Sequence, residues 1–506
     1  MMKVRTIAKN SAFLYLRMLV VLGTSLYTVR AVLQALGVDD FGIYGVAGGL
    51  VAIFAFLNAT MTRAAQRFLG IDIGVGDETI LNRTFNAILL VNVAIAVFVV
   101  FLSLSLGYWL LNNKLNIPVD RLAVANIVLL YSVATIVAMI IRTPFNALII
   151  SREKIWFFSA TSIIEALLKL SVAFLISQTT HDRLTFYALL MCVVSWLMLF
   201  VYVAFCRVNF KESKLVICRE REPYAALFAF TSWSFIGNLS HVFRAQGINM
   251  LLNVFFGTSL NAVHGVMTQA QGAATQLANS FELALSPQIY QSYGRGDLKS
   301  VQSLVFIGAK LNFMLLAVLV APAIYGMDYL LHFWLGVSLD YLADFVRWML
   351  LAQLLETVSH PLMIAAFATG DIKRYQLVVG GTILLNLPLS WLAFELGSGP
   401  MAFLYVAFGI QLLAFALRVW FLKNMINLHV PAFFRAVIIP LLSISIVGVL
   451  AVYGAVYCFG YPQSFFDLIK GGMTIFFSLC LTCFFLGLNS QERNFLLSRV
   501  LKKIRK

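Results

Sequence analysis

Charge is scarce in this sequence. Of its 506 residues only 12% are Asp, Glu, Lys or Arg, against roughly 25% in ordinary soluble domains, while 61% are hydrophobic and the mean hydropathy is +0.89. That balance excludes an ordinary water-soluble globule. Acids are scarcer than bases, 22 against 37. Long polar stretches are missing as well, so no soluble reading domain exists and the net charge of +15 does not imply nucleic-acid binding. Cysteine is limited to six. Cys192, Cys206, Cys218, Cys458, Cys480 and Cys483 fall in expected spans or on the expected cytoplasmic side, where disulfides are disfavoured. CLTC at Cys480 to Cys483 has a redox spacing but no His or acidic company, and is expected to be a pair of packing thiols. The run GMDYLLHFWLGVSLDYLAD offers Asp328, His332, Asp340 and Asp344 without a ligand spacing, so neither a metal nor a cofactor is expected, and nothing supplies a catalytic constellation.

What the chain has in abundance is apolar runs of about 20 residues, each long enough to cross a bilayer as a helix. About fourteen are expected, near 11–33, 43–68, 85–111, 123–149, 155–178, 183–206, 224–253, 259–286, 303–326, 343–368, 374–396, 399–423, 432–458 and 468–488. The fold class is therefore all-α integral membrane. The basic N-terminus MMKVRTIAKN invites comparison with a signal peptide, but the following run carries Arg17 and Arg30, lacks a small-residue cleavage site and leads into another span; a retained helix is expected. Counting Lys and Arg in the loops puts about 24 on one side and about 4 on the other, which by the positive-inside rule places both termini in the cytoplasm. The basic tail LSRVLKKIRK is expected to anchor at anionic lipid headgroups.

The chain repeats itself. A shift of about 220 residues brings LGVDDFGIYGV, from Leu36, over FGTSLNAVHGV, from Phe256, and RFLGIDIGVGD, from Arg67, over PQIYQSYGRGD, from Pro287. Gly37 then meets Gly257, Gly74 meets Gly294, and Gly76-Asp77 meets Gly296-Asp297. The organisation expected is an N-terminal six-helix lobe (1–206), a basic cytoplasmic linker (207–223), a second six-helix lobe (224–423) in pseudo-two-fold relation, two additional transmembrane helices (432–488) and a basic tail (489–506). Two similarly oriented lobes favour a central cavity and alternating access.

Polar groups in lipid are expensive and mark function. On the eighth span Thr268, Gln271, Thr275, Asn279 and Glu282 share an arc of about 80°, and on the seventh Ser234, Asn238, His241 and Arg244 share another. In the first lobe Arg17, Arg30, Asn58, Thr62, Arg63, Gln66 and Arg67 take the corresponding places. Arg142, Lys169, Lys310, Arg347 and Arg418 also lie within spans, and the in-span cations outnumber the in-span acids Glu165, Glu282, Glu356 and Glu395. Such an excess calls for an anion. Glu165 and Lys169, four apart, either form a structural pair or take part in ion coupling, for which Glu356 and His241 are further candidates.

The stretch from Val32 to Asp77, with its LGVDDFGIY turn, its TRAAQRF run at Thr62 to Phe68 and its GVGD loop, resembles the second-helix region of Wzx-type polysaccharide flippases of the multidrug/oligosaccharidyl-lipid/polysaccharide (MOP) exporter superfamily. The resemblance implies a non-enzymatic flippase in the bacterial inner membrane that carries an undecaprenyl-pyrophosphate-linked oligosaccharide to the periplasmic leaflet for O-antigen, capsule or exopolysaccharide assembly, with membrane lipids and polysaccharide polymerase machinery as partners. Arginine forks suit pyrophosphate, and amides suit sugar hydroxyls. Arg30, Arg63, Arg142, Arg244 and Lys310 are thus expected at the headgroup, and Gln271, Gln276 and Asn279 at the sugar. A peptidoglycan lipid-precursor flippase and a cation-coupled multidrug exporter of the same fold are the alternatives. The first span holds no Asp or Glu, unlike the first helix of the cation-coupled exporters.

Overall fold

The structure is a computed structural model that describes the backbone of residues 2–37, 40, 43–44, 55–113, 119–176, 178–179, 182–214, 216, 222–335, 340–489 and 492–493. Among the described residues every regular element is helical. Four long helices carry the polar residues singled out above: α1 (Met2–Leu36), α2 (Ala55–Val75), α7 (Glu222–Phe256) and α8 (Thr258–Gly294). They correspond to the first, second, seventh and eighth expected spans. Ten others are long and apolar enough to cross a membrane: α3 (Glu78–Asn113), α4 (Leu122–Ser151), α5 (Ile155–Ile176), α6 (Arg183–Asn209), α9 (Leu298–Tyr325), α11 (Leu342–Thr369), α12 (Lys373–Glu395), α13 (Ala402–Met425), α14 (Val430–Phe459) and α15 (Phe465–Gly487). The short α10 (Met327–Leu335) follows α9. The all-α membrane architecture expected from hydropathy is thus what the chain adopts.

Contacts divide the chain into two compact units, Met1–Phe235 with Ser286–Asp297, and Ile236–Leu285 with Leu298–Lys506. In the first, α1 runs along α5 and α4 packs on α2 and α6. Phe85, Phe145 and Tyr202 centre its core, with the Phe85 and Phe145 rings edge to face at 5.3 Å. The start of the expected linker is pinned to this unit: Asn82 Nδ2 donates to the carbonyls of Glu212 (2.7 Å) and Lys214 (2.9 Å), Asn86 Oδ1 accepts from the Val216 amide (3.1 Å), and Arg152 pairs with Glu212 at 2.6 Å.

In the second unit α9 packs on α11, α11 on α13, and the C-terminal pair α14–α15 lies against α9. Its core runs from Leu252 and Met267 through Phe345 and Met349 to Phe403.

The repeated glycines do matching structural jobs. Gly37 and Gly257 end α1 and α7 at φ +81° and +82°, and Gly76 and Gly296 take φ +87° and +72°, left-handed values that favour a residue without Cβ. Asp77 then caps α3, accepting from the amides of Thr79 (2.8 Å) and Ile80 (3.2 Å); these bonds hold its carboxyl below the usual carboxylate range. Most of the LGVDDFGIYGV turn lies outside the described residues. Within the first unit the end of α2 crosses the end of α8 with backbones in contact. A Cβ on Gly74 would collide with the Gln291 carbonyl, and a Cβ on Gly294 with the Ile71 carbonyl. Gly74 and Gly294 are repeat partners, as are Ile71 and Gln291.

Candidate functional site

In the first unit a charged cluster is built by three helices. Glu165, in the middle of α5, accepts from Lys169 Nζ through Oε1 (2.8 Å) and from Arg142 Nη1 of α4 through Oε2 (2.8 Å). The spacing of four along α5 sets the first contact and the packing of α4 beside α5 sets the second. Arg142 also lies over the Tyr202 ring of α6, 5.3 Å from its centroid, and Tyr202 in turn hydrogen-bonds Thr161 at 3.0 Å. Arg17 of α1 joins them, its guanidinium 4.6 Å over the Phe158 ring and within electrostatic reach of Glu165 and Tyr202. Its Nε is buried and has no hydrogen-bond acceptor. Three cations therefore share one carboxylate whose two oxygens are already engaged.

Arg67, the arginine of the TRAAQRF run, is buried and lies 4.4 Å from the centroid of Phe68 and 4.8 Å from that of Phe230. Asn58 accepts from Thr143 Oγ1 at 2.5 Å, next to Pro144 of α4.

The second unit holds a different cluster. Glu356 of α11 lies within electrostatic reach of His360 one turn on, of His241 and Arg244 on α7, and of Arg418 on α13. His360 Nδ1 is 3.6 Å from Glu282 Oε2 of α8. Arg418 is 3% exposed, and its Nε and Nη1 find no acceptor; the buried Nε of Arg244 is likewise unsatisfied. Unpaired buried donors of this kind cost energy unless water or a ligand completes them. The cluster thus sets the carboxylates of Glu356 and Glu282 beside imidazoles and guanidinium groups.

The expected site residues are distributed as follows. Arg142 belongs to the first cluster with Glu165 and Lys169; Arg244, Glu356 and His241 belong to the second. Lys310, expected at the headgroup, is 4% exposed and bound to both oxygens of Glu492, at 3.0 and 2.8 Å, so its charge is met inside the protein. Arg63 is exposed on α2 and engaged with neighbours. The side chain of Arg30 lies outside the described residues. Gln271 is half-buried and Asn279 exposed, eight residues apart on α8, with Thr275 between them bonded to Gln353 at 3.4 Å; the exposed Gln276 sits on a neighbouring face. Sequence reasoning marked Arg17, Arg418 and Glu282 as in-span charges without assigning them a role at the site, and it passed over His360. His360 had a visible signal, standing four residues after Glu356. Among the described residues no group of His, Cys, Asp and Glu is arranged to hold a metal ion.

No family model matches the chain. An uncharacterized membrane protein of Bacillus subtilis (strain 168), EpsK, is 23% identical over 327 residues; the match spans 63% of this chain and 63% of EpsK, less than two thirds of that relative's length. Solved structures align over far more of the chain. One is the outward-facing conformation of a multidrug resistance MATE family transporter of the MOP superfamily (TM-score 0.71, 12% identity, 83% of this chain and 96% of that one). A second is a MOP superfamily transporter from Pyrococcus furiosus, described as having a binding pocket of reverse polarity that suggests a different function (TM-score 0.70, 11% identity, 84% and 96%). A third is a point mutant of the Vibrio cholerae MATE transporter VcmN (TM-score 0.70, 13% identity, 84% and 98%). At such identities the likeness speaks for architecture alone: the chain has the fold of the MATE transporters of the MOP superfamily.

Proposed function

We propose that this chain is a flippase that carries an undecaprenyl-pyrophosphate-linked oligosaccharide from the cytoplasmic to the periplasmic leaflet of the bacterial inner membrane, with both termini in the cytoplasm. The observation that carries the reading is the first-unit cluster, in which Arg17, Arg142 and Lys169 share the single carboxylate of Glu165 and a buried Arg17 N–H lacks an acceptor. Excess buried positive charge within a span is stabilised by an anionic cargo, and a pyrophosphate supplies acceptor oxygens for guanidinium forks. Glu356, His241 and His360 form the group through which protons drive the cycle.

A second reading, multidrug export, draws on the fold neighbour described as a multidrug resistance transporter. Transport in proteoliposomes separates the two. The pyrophosphate-linked glycolipid crosses, a cationic dye does not, and Arg17→Ala or Arg142→Ala slows glycolipid transfer by about ten- to a hundredfold, the worth of one charge-assisted hydrogen bond. Dye export with the glycolipid left behind overturns the proposal. Transfer of a peptidoglycan lipid precursor in preference to the undecaprenyl-linked oligosaccharide reassigns the cargo and keeps the cationic cluster.

A further inference from the structure

The second unit contains a cavity of about 1140 Å³ that neither charged cluster uses. It lies between α9 and α11 on one side and the C-terminal pair α14–α15 on the other. Its long walls are apolar: Phe313, Ala317 and Val320 on α9 face Ile444, Gly448 and Val452 on α14. From Phe313 to Tyr325, and likewise from Ile444 to Val456, the walls run twelve residues, about 18 Å at 1.5 Å per residue. That length is close to one leaflet of a hydrocarbon core about 30 Å thick. The helices forming it are among those apolar enough to span a membrane, so the cavity is bounded by surfaces that hydrocarbon wets and water does not.

One end of the cavity is charged. Arg347, near the start of α11, bonds Asp344 at 3.0 Å and pairs also with Asp328 of α10. Arg347, with 25% of its side chain exposed, and Asp328, with 66%, line that end together with His332, Tyr461 and Gln463, while Asp344, 60% exposed, holds Arg347 from outside the lining. A guanidinium flanked by two exposed carboxylates complements a headgroup with a phosphate close to an ammonium. It opposes a headgroup that is anionic only.

We propose that this cavity is a binding site for a zwitterionic aminophospholipid, whose chain lies between α9 and α14, whose phosphate meets Arg347 and whose ammonium meets Asp328, with Asp344 adding negative charge behind Arg347. The proposal is independent of the cargo assigned above. The Asp328 carboxylate recognises the amine as an ion-pair acceptor, and Arg347 has five N–H donors, enough to serve two carboxylates and a phosphate together.

The experiment is native mass spectrometry of the purified full chain with defined phosphatidylethanolamine, phosphatidylglycerol or cardiolipin, together with photo-cross-linking by a phosphatidylethanolamine carrying a diazirine in its acyl chain. The expected result is one retained phosphatidylethanolamine, cross-linked to peptides of α9 and α14. Arg347→Ala weakens retention by about tenfold through loss of a charge-assisted bond. Two fillings of the cavity from opposite walls, Ala321→Trp and Val452→Trp, each abolish the cross-link, so a misfolded single variant does not decide the matter; Val97→Trp, on the exposed face of α3 in the other unit, leaves it intact. Equal retention of the three lipids, or cross-links spread over all spans and indifferent to both tryptophans, overturns the site and leaves ordinary surrounding lipid.

Discussion

At the scale of single residues, the pairing of Lys310 with Glu492 gives the sharpest expectation. Lys310 is almost wholly buried and Glu492 is 19% exposed, so removing the acid strands an ammonium that cannot reach water. Glu492→Gln is expected to cost about 3–5 kcal/mol and to lower the melting temperature in detergent more than Lys310→Met does, with the double variant Lys310→Met/Glu492→Gln recovering part of the loss. Equal losses for both single variants would show that desolvation of Lys310 is not the governing cost. The same pair shows where sequence reading stops. The contact between Glu165 and Lys169 was legible because four residues on a helix make neighbours. Arg142 stands 23 residues from Glu165 and Glu492 stands 182 from Lys310, and nothing local tells which helices pack beside which. An arginine within a span is visible in sequence; whether a carboxylate meets it depends on tertiary packing.

Among the elements, the connection between α5 and α6 is tied by charge. Arg121, at the start of α4, pairs with Asp182 at 2.5 Å and with Asp40, and Asp182 also caps α6 by accepting from the Thr185 amide at 2.8 Å. Partial burial pushes the Asp182 carboxyl up, but the Thr185 amide and the Arg121 guanidinium outweigh this and hold it below the usual carboxylate range. A carboxyl depressed on folding contributes stability that is complete above its unfolded value, about 3.9, and is lost as pH falls through the lower folded value. Thermal stability is therefore expected to be flat from about pH 7 to 5 and to fall below about pH 4, and Asp182→Asn is expected to flatten the acid limb. A variant that keeps the wild-type acid slope would place the titrating group elsewhere. The elements themselves were legible in advance. Apolar runs of about 20 residues separated by polar turns give helices whatever their neighbours, and the glycines repeated at a shift of about 220 foretold backbone conformations that recur in the two halves. The interruptions were not: a π-helical segment at Gln376–Gly380 breaks the regular winding of α12 with no proline among its five residues.

For the molecule as a whole, the coupling role proposed for the second-unit cluster predicts that cargo movement depends on pH. Transfer of cargo in proteoliposomes is expected to change over the range in which imidazole titrates, about pH 5 to 8, and Glu356→Gln or His360→Asn is expected to remove that dependence while binding of the anionic headgroup, which rests on Arg17 and Arg142, persists. A pH profile unmoved by either substitution would take the cluster out of the cycle. The internal repeat also gives the crossing of α2 and α8 a symmetric character. Gly70 faces its own repeat partner Tyr290, while Gly74 touches the backbone at Gln291 and Gly294 touches it at Ile71, two contacts that exchange with each other under the repeat. This is the contact pattern of a symmetric homodimer, in which one patch recognises its own copy, now held within a single polypeptide. Within one polypeptide such an interface need not be identical on both sides: Gly70 differs from Tyr290 and Ile71 from Gln291, whereas Gly74 and Gly294 are both glycine, where main chain meets main chain and no side chain fits.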